Sequence, residues 1–197
     1  MKLKRTAEVK RKTREVSIEL SLNIDGKGKY NIETGIPFFN HMLELFSKHG
    51  LFDLTLTAKG DVAVDIHHTV EDVGLALGSA FKQALGKKER IERYGSIVAP
   101  MDEALSSVVI DVSGRPYLSY NVNLPKKKFD RFDTEAVKEF FRAFSDSSGI
   151  TIHVSLLGGE NTHHMIESIF KAFALALAKA IQINPRKIGI PSTKGKL

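Results

Sequence analysis

The sequence contains no cysteine. That excludes a disulfide framework and thiolate metal sites. Any metal must be held by imidazole nitrogen and carboxylate oxygen, a donor set that suits manganese, iron or zinc. No apolar run is long enough to span a bilayer. The opening Met1-Lys-Leu-Lys-Arg-Thr is basic but has no apolar core behind it, so it does not read as a secretory signal. A cytoplasmic protein with no membrane partner is the expectation. The stacking motifs of RNA-binding modules are also missing. The chain carries a net charge of +6, with much of the excess in Lys2 to Arg14 and Lys126 to Lys128. Without stacking motifs, that charge points to a solvated surface or an anionic small molecule rather than nucleic acid.

What is present is a doublet that occurs twice. One copy reads Asp65-Ile-His67-His68-Thr-Val-Glu71 and the other Asn161-Thr-His163-His164-Met-Ile-Glu167. The copies are offset by 96 residues, and Ala76, Ala80 and Ala84 match Ala172, Ala176 and Ala180. Asp and Asn are good helix N-caps, so each doublet is expected in the first turn of a helix. There the first His and the Glu share a face, being four residues apart. The second His is turned by about 100° from the first. Two adjacent imidazoles therefore diverge, and each could serve a different metal.

The 197 residues allow one large or two small domains, and the 42% hydrophobic content is that of a globular chain. Alternation in residues 4–11 and 15–24 predicts two strands. Asp25-Gly26-Lys-Gly28 signals a hairpin, with Lys29–Glu33 as a short return strand. A helix is expected over Phe38–Lys48 with Pro37 in its first turn, then a strand over Leu51–Ala58 and the first doublet helix over about 66–86. The second half repeats this order. Strands are expected at Ser96–Met101, Leu105–Val112 and Tyr117–Leu124, and a helix at Thr134–Asp146. A strand at Ile150–Leu157 and the second doublet helix over about 162–181 complete it. Lys126–Asp133 is the best candidate for a mobile loop. The repeat implies an α+β fold built from two copies, residues 1–91 and 92–197, packed as one compact chain. Each copy would be a small sheet with both helices on one face. Packing the helical faces together would bury Phe170, Phe173, Leu177 and Ile181.

Four of the seven histidines lie in the doublets. A lone His is more often a surface or capping residue than a ligand. Two identical His-His-x-x-Glu patterns at equivalent places in a duplication favour metal binding. His41 lies on the first helix, and its counterpart at an offset of 98 is Glu139. These are the natural extra ligands, one per half, which gives eight candidates. His49 and His153 have no such pairing and read as structural. Candidate anion contacts are Arg93, Arg115, Lys171, Ser192 and Lys194, since converging guanidinium, ammonium and hydroxyl groups are how a phosphate is held.

Four stretches then carry a specific resemblance. They are Gly35-Ile-Pro-Phe-Phe-Asn-His41-Met-Leu, Asp65-Ile-His-His-Thr-Val-Glu-Asp-Val-Gly74, Glu160-Asn-Thr-His-His-Met-Ile-Glu167 with Phe170-Lys-Ala-Phe173, and Pro191-Ser-Thr-Lys-Gly195. In this order they resemble the imidazoleglycerol-phosphate dehydratase family of histidine biosynthesis, from about Arg5 to the C-terminus. The resemblance implies a duplicated α+β fold of the ribosomal protein S5 domain 2-like kind. It also implies two manganese ions per active site and a homo-oligomer of 24 subunits, with metals and substrate between subunits. The reaction implied converts imidazole glycerol phosphate to imidazole acetol phosphate and water.

The metal ligands implied are His41, His67, His68, Glu71, His163, His164 and Glu167. The eighth family ligand is usually a histidine, and here that position is Glu139. Arg93, Arg115, Lys171, Ser192 and Lys194 match the phosphate-binding positions. Glu15 matches a position near the reacting carbons, and Glu15, Glu71 and Glu167 are the candidate catalytic carboxylates. Imidazole held as imidazolate between two metals would become an electron source able to expel the C3 hydroxyl, with a carboxylate taking the C2 proton. The competing readings are a two-metal phosphate-ester hydrolase and, outside enzymes, an RNA-binding module. The second leaves the repeated metal-ligand pattern unexplained.

Overall fold

Strict alternation of apolar and polar residues builds the first strands of each half. Val16, Ile18, Leu20 and Leu22 point inward from β2 (Val16–Asn23), and the residues between them face out. β1 (Thr6–Lys12) pairs with β2 antiparallel. The computed structural model describes residues 4–60 and 65–197. In the first half β3 (Tyr30–Glu33), α1 (Pro37–Gly50), β4 (Asp53–Gly60) and α2 (His67–Leu85) follow. The second half runs β5 (Tyr94–Met101), β6 (Ala104–Asp111), β7 (Tyr117–Asn121), a small hairpin of β8 (Lys128–Phe129) and β9 (Phe132–Asp133), α3 (Ala136–Ser148), β10 (Thr151–Gly158) and α4 (Thr162–Ile181). Apart from the hairpin, the two halves have the same order.

The sheets are ordered β1-β2-β4-β3 and β5-β6-β10-β7. This corrects one sequence expectation. The Asp25–Gly28 turn does not fold β3 back onto β2. β3 instead lies beyond β4 and pairs with it in parallel, as β7 does with β10. The helix between each pair of parallel strands makes the crossover that such a pairing requires. The second correction concerns residues 126–133. They form the β8–β9 hairpin, with Phe132 fully buried and Phe129 stacked on Phe38 at 4.3 Å between centroids.

Two serines fix the register of the repeat. Ser47 Oγ donates to the carbonyl of Phe52 (2.6 Å), and Ser145 Oγ donates to that of Ile150 (2.7 Å). Both lie in the last turn of their helix, 98 residues apart, the spacing that pairs His41 with Glu139. The spacing falls to 96 by Asp65 and Asn161. The two-residue slip expected ahead of the doublet thus lies between Gly60 and Asp65, in a stretch that includes 61–64, outside the described residues.

Within each half both helices pack on one face of their sheet, and between halves α1 meets α4 and α2 meets α3. Exchange of the halves maps one of these contacts onto the other, so the packing has a pseudo-two-fold. Phenylalanines fill the space between the helices. Phe46 stacks on Phe173 at 5.3 Å and Phe140 on Phe170 at 5.4 Å. Phe170, Phe173, Leu177 and Ile181 are all buried, as their helical spacing predicts. The α2–α3 contact is closer than side chains normally permit. A Cβ on Gly74 would lie 2.8 Å from the Phe140 carbonyl oxygen, and one on Gly78 2.6 Å from that of Phe144. The contacts ascend together along both helices, so α2 and α3 run parallel, and Glu139 lies within one turn of the level of Glu71.

Candidate active site

Each doublet enters its helix through the same device. Asn161 Oδ1 accepts the backbone N–H of His163 at 2.9 Å, and Asp65 Oδ1 accepts that of His67 at 2.9 Å. This leaves both doublets in the first turn, as expected from the capping residues. In the second half the first His and the Glu then meet. His163 Nε2 and His41 Nε2 each donate to Glu167 Oε1 at 2.9 Å. Lys171, one turn on, places Nζ 2.9 Å from Glu167 Oε2. One ligand atom from each of His41, His163 and Glu167 falls within 4.8 Å of the others, close enough to hold one ion. The donor set of two imidazoles and one carboxylate suits a divalent transition metal. Burial opposes ionisation of Glu167. The hydrogen bonds from Lys171, His41 and His163 outweigh it and carry the carboxyl down to about 2. An aromatic wall backs this cradle, with the edge of the His163 ring on Phe38 (5.1 Å) and on Phe129 of the hairpin (5.8 Å).

The equivalent groups in the first half are set more loosely. His67 Nε2 lies 4.0 Å from Glu71 Oε2, and both side chains are nearly half exposed. Glu139 is within one turn of the level of Glu71 but its carboxylate is turned onto Arg142 at 3.1 Å. The residue equivalent to Lys171 is Leu75, which supplies no ammonium to Glu71.

The second His of each doublet faces elsewhere. His68 Nδ1 lies 3.2 Å from Glu15 Oε2, and His164 Nδ1 donates to Glu103 Oε2 at 2.8 Å. Neither belongs to the cradle of three. Glu103 was not among the residues singled out from sequence. The signal that finds it is the repeat: β1–β2 and β5–β6 are offset by 88 residues, which maps Glu15 onto Glu103. The bonds from His164 and from the Asn161 backbone hold its carboxyl down to about 2.

Arg93, Arg115, Ser192 and Lys194 come together. They line a pocket of about 230 Å³ with Thr193, Lys196 and Leu197. Arg93 is held by a fork to Asp111, Nε to Oδ1 at 2.8 Å and Nη2 to Oδ2 at 3.3 Å, and donates from Nη1 to the Pro191 carbonyl. The bond to Asp111 raises its pKa further, so it is a fixed positive charge. Lys196 adds a cation that sequence reasoning did not select. Lys171 is not part of this pocket and sits against Glu167 instead. The pocket and the cradle lie at opposite ends of α4. The Arg93 amide donates to the carbonyl of Ala180, in the last turn of α4, whereas Glu167 is near its start. At 1.5 Å per residue the separation is about 20 Å.

With this geometry in hand, the comparisons are decisive. The family model for imidazoleglycerol-phosphate dehydratase matches residues 34–177. The chain belongs to the imidazoleglycerol-phosphate dehydratase family. A curated imidazoleglycerol-phosphate dehydratase of Caldanaerobacter subterraneus is 59% identical over 193 residues, covering 98% of this chain and 100% of the relative. The one from Pelobacter propionicus is 55% identical, covering 98% and 99%. Among solved structures, the dehydratase of Staphylococcus aureus superposes with a TM-score of 0.82 at 42% identity, covering 91% of this chain and 99% of that one. The Pyrococcus furiosus enzyme in complex with (S)-C348 gives 0.83 at 34%, covering 96% and 100%. Family membership and the mixed α+β, two-sheet, four-helix fold thus agree. Among the described residues no helix is long and apolar enough to cross a membrane.

Proposed function

We propose that this chain removes water from imidazole glycerol phosphate to give imidazole acetol phosphate, using two manganese ions per active site. The observation that carries the reading is the cradle of His41, His163 and Glu167, built from both halves of a chain of this family. His41, His163 and Glu167 would hold one metal, and Glu139, His67 and Glu71, their counterparts, the other. Bound metal would supply a Lewis acid and charge stabilisation at the reacting oxygen.

The pocket of Arg93, Arg115, Ser192 and Lys194 would hold the phosphate, with Lys196 contributing. Substrate ring and phosphate are joined by only a three-carbon chain. A pocket about 20 Å from the cradle in the same chain cannot serve the same substrate molecule. The separation supports active sites shared between subunits of a homo-oligomer, for which we propose 24 copies in the cytoplasm. In such an assembly His68 and His164, which face away from their own cradle, would complete sites on neighbouring copies.

Among the candidate carboxylates, Glu15 is the one we assign to the C2 proton. Both oxygens of Glu167 are engaged, by His41 and His163 on one side and Lys171 on the other. Glu15 is more than half exposed and lies 3.2 Å from His68. The test is to strip metal with chelator, restore manganese, and follow formation of the acetol phosphate. Loss and recovery of turnover is expected, with Glu15→Gln failing to recover it while still binding metal. No dehydration in either condition, by folded protein, sinks the reading. The hydrolase alternative requires metals on the phosphate, yet no histidine lines the anion pocket. Release of inorganic phosphate from sugar phosphates would revive it.

A further inference from the structure

We propose that Glu103 is a positioning residue for His164, holding its ring by Nδ1–H so that Nε2 is the atom presented to a metal. This rests on the metal-dependent reading above. The Glu103 carboxylate is fixed on both oxygens. Oε2 accepts His164 Nδ1–H at 2.8 Å, and Oε1 accepts the backbone N–H of Asn161 at 2.8 Å and of Glu160 at 3.2 Å. It thereby ties the β5–β6 turn to the chain that enters α4. About a third of the Glu103 side chain and a quarter of His164 remain exposed. A neutral imidazole has one N–H and one lone pair. A carboxylate on Nδ1 fixes which nitrogen keeps the proton, locks the ring plane and raises the basicity of the other nitrogen.

The duplicated copy is set differently. Glu15 occupies the same place in the first half and lies beside His68, but at 3.2 Å with both side chains more than half exposed. Among the described residues its carboxylate takes no backbone N–H. One unit thus carries an exposed carboxylate beside its second histidine, and the other a pinned carboxylate suited to aiming a ligand.

Glu103→Gln is diagnostic because it preserves shape. If the Gln oxygen keeps the two backbone N–H groups, its amide donates to Nδ1. The imidazole proton must then move to Nε2, the ligand atom. If the amide flips, a donor faces the backbone donors and the anchor is lost. The experiment counts free Mn2+ by electron paramagnetic resonance during titration of the assembled wild type, E103Q, H164A and the double variant, with melting temperatures recorded. E103Q is expected to weaken one class of manganese sites about 10- to 100-fold, with no further loss when added to H164A. Glu103→Asp, which keeps the charge and withdraws it by one methylene, should fall between wild type and E103Q. Wild-type manganese affinity in E103Q, or losses that multiply in the double variant, would overturn the proposal. Wild-type affinity in H164A would instead overturn the ligand reading itself, and the proposal with it.

Discussion

Gly78→Ala should destabilise the protein, although it replaces a poor helix former with the best one. In an exposed helix interior the change would gain about 1 kcal/mol. Here the new Cβ would lie 2.1 Å from Ser147 Oγ and 2.6 Å from the Phe144 carbonyl oxygen. The serine hydroxyl can rotate away, but the carbonyl is part of α3. Restoring ordinary contact, which starts at 3.4 Å, moves α3 back from α2 by most of an ångström. Overpacking of this kind costs about 1–3 kcal/mol, and the backbone clash puts this site toward the upper end. The net expectation is a loss of about 1–2 kcal/mol, read from urea unfolding of the metal-free protein. The same displacement carries Glu139 away from Glu71, so Mn2+ affinity should fall as well. The equivalent residue in α4 is Ala174, fully buried. Ala174→Gly should also destabilise, by roughly 1 kcal/mol from helix propensity and more from the lost methyl. Opposite substitutions at equivalent positions would then both be harmful. G78A matching or exceeding wild-type stability would refute the close approach of α2 and α3.

Glu167, with its carboxyl near 2 against an ordinary 4.5, contributes stability that is complete above 4.5 and is lost as pH falls toward 2. At about 1.4 kcal/mol per unit this amounts to roughly 3 kcal/mol in metal-free protein, and Lys171→Met should shift the loss to higher pH in urea midpoints taken between pH 6 and 3. Arg115→Ala should raise KM for the phosphate substrate about tenfold or more while leaving kcat less affected; an unchanged KM in steady-state kinetics would remove the pocket from phosphate binding. Phe129→Ala removes the stack on Phe38 and the edge contact on His163. Limited trypsin cleavage at Lys126–Lys128 should accelerate and Mn2+ binding should weaken, and neither change would follow if the hairpin were held by other contacts.

The helices and the repeat were readable because their signals are local. Capping residues, the His-His-x-x-Glu spacing and the alanine periodicity act within one or two turns, and all four helices lie within a few residues of their expected spans. Strand neighbours were less readable. The Asp25–Gly28 turn chemistry is real, yet pairing with β4 buries Ile32 on the core side and wins over a hairpin with β2. The hairpin at β8–β9 read as a loop because its lysines and Asp130 mask two phenylalanines whose partners lie on α1. In the site, the meeting of His163 with Glu167 followed from their i,i+4 spacing, whereas the joining of His41 from the other half to that pair had no local signal. Lys171 sits where its i,i+4 relation to Glu167 puts it, against that carboxylate. Glu103 and Lys196 carry no local motif, and only the superposed halves and the folded tail bring them to notice.

The divergence of the halves follows one direction. The second half gives the cradle a lysine clamp on Glu167 and an aromatic wall from the inserted hairpin, and outside the cradle it pins a carboxylate beside the second histidine. The first half has Leu75, no inserted hairpin, and an exposed Glu15 at the matching positions. Duplicated units begin equal, so these differences measure what each half is free to do. A fixed ligand set loses little order when a metal binds, whereas a looser set keeps side chains free to move. Proton transfer is better served by the second property, since a carboxylate tied up by fixed hydrogen bonds is a weaker base. The same ancestral unit therefore carries a clamped carboxylate in one copy and a more exposed one in the other.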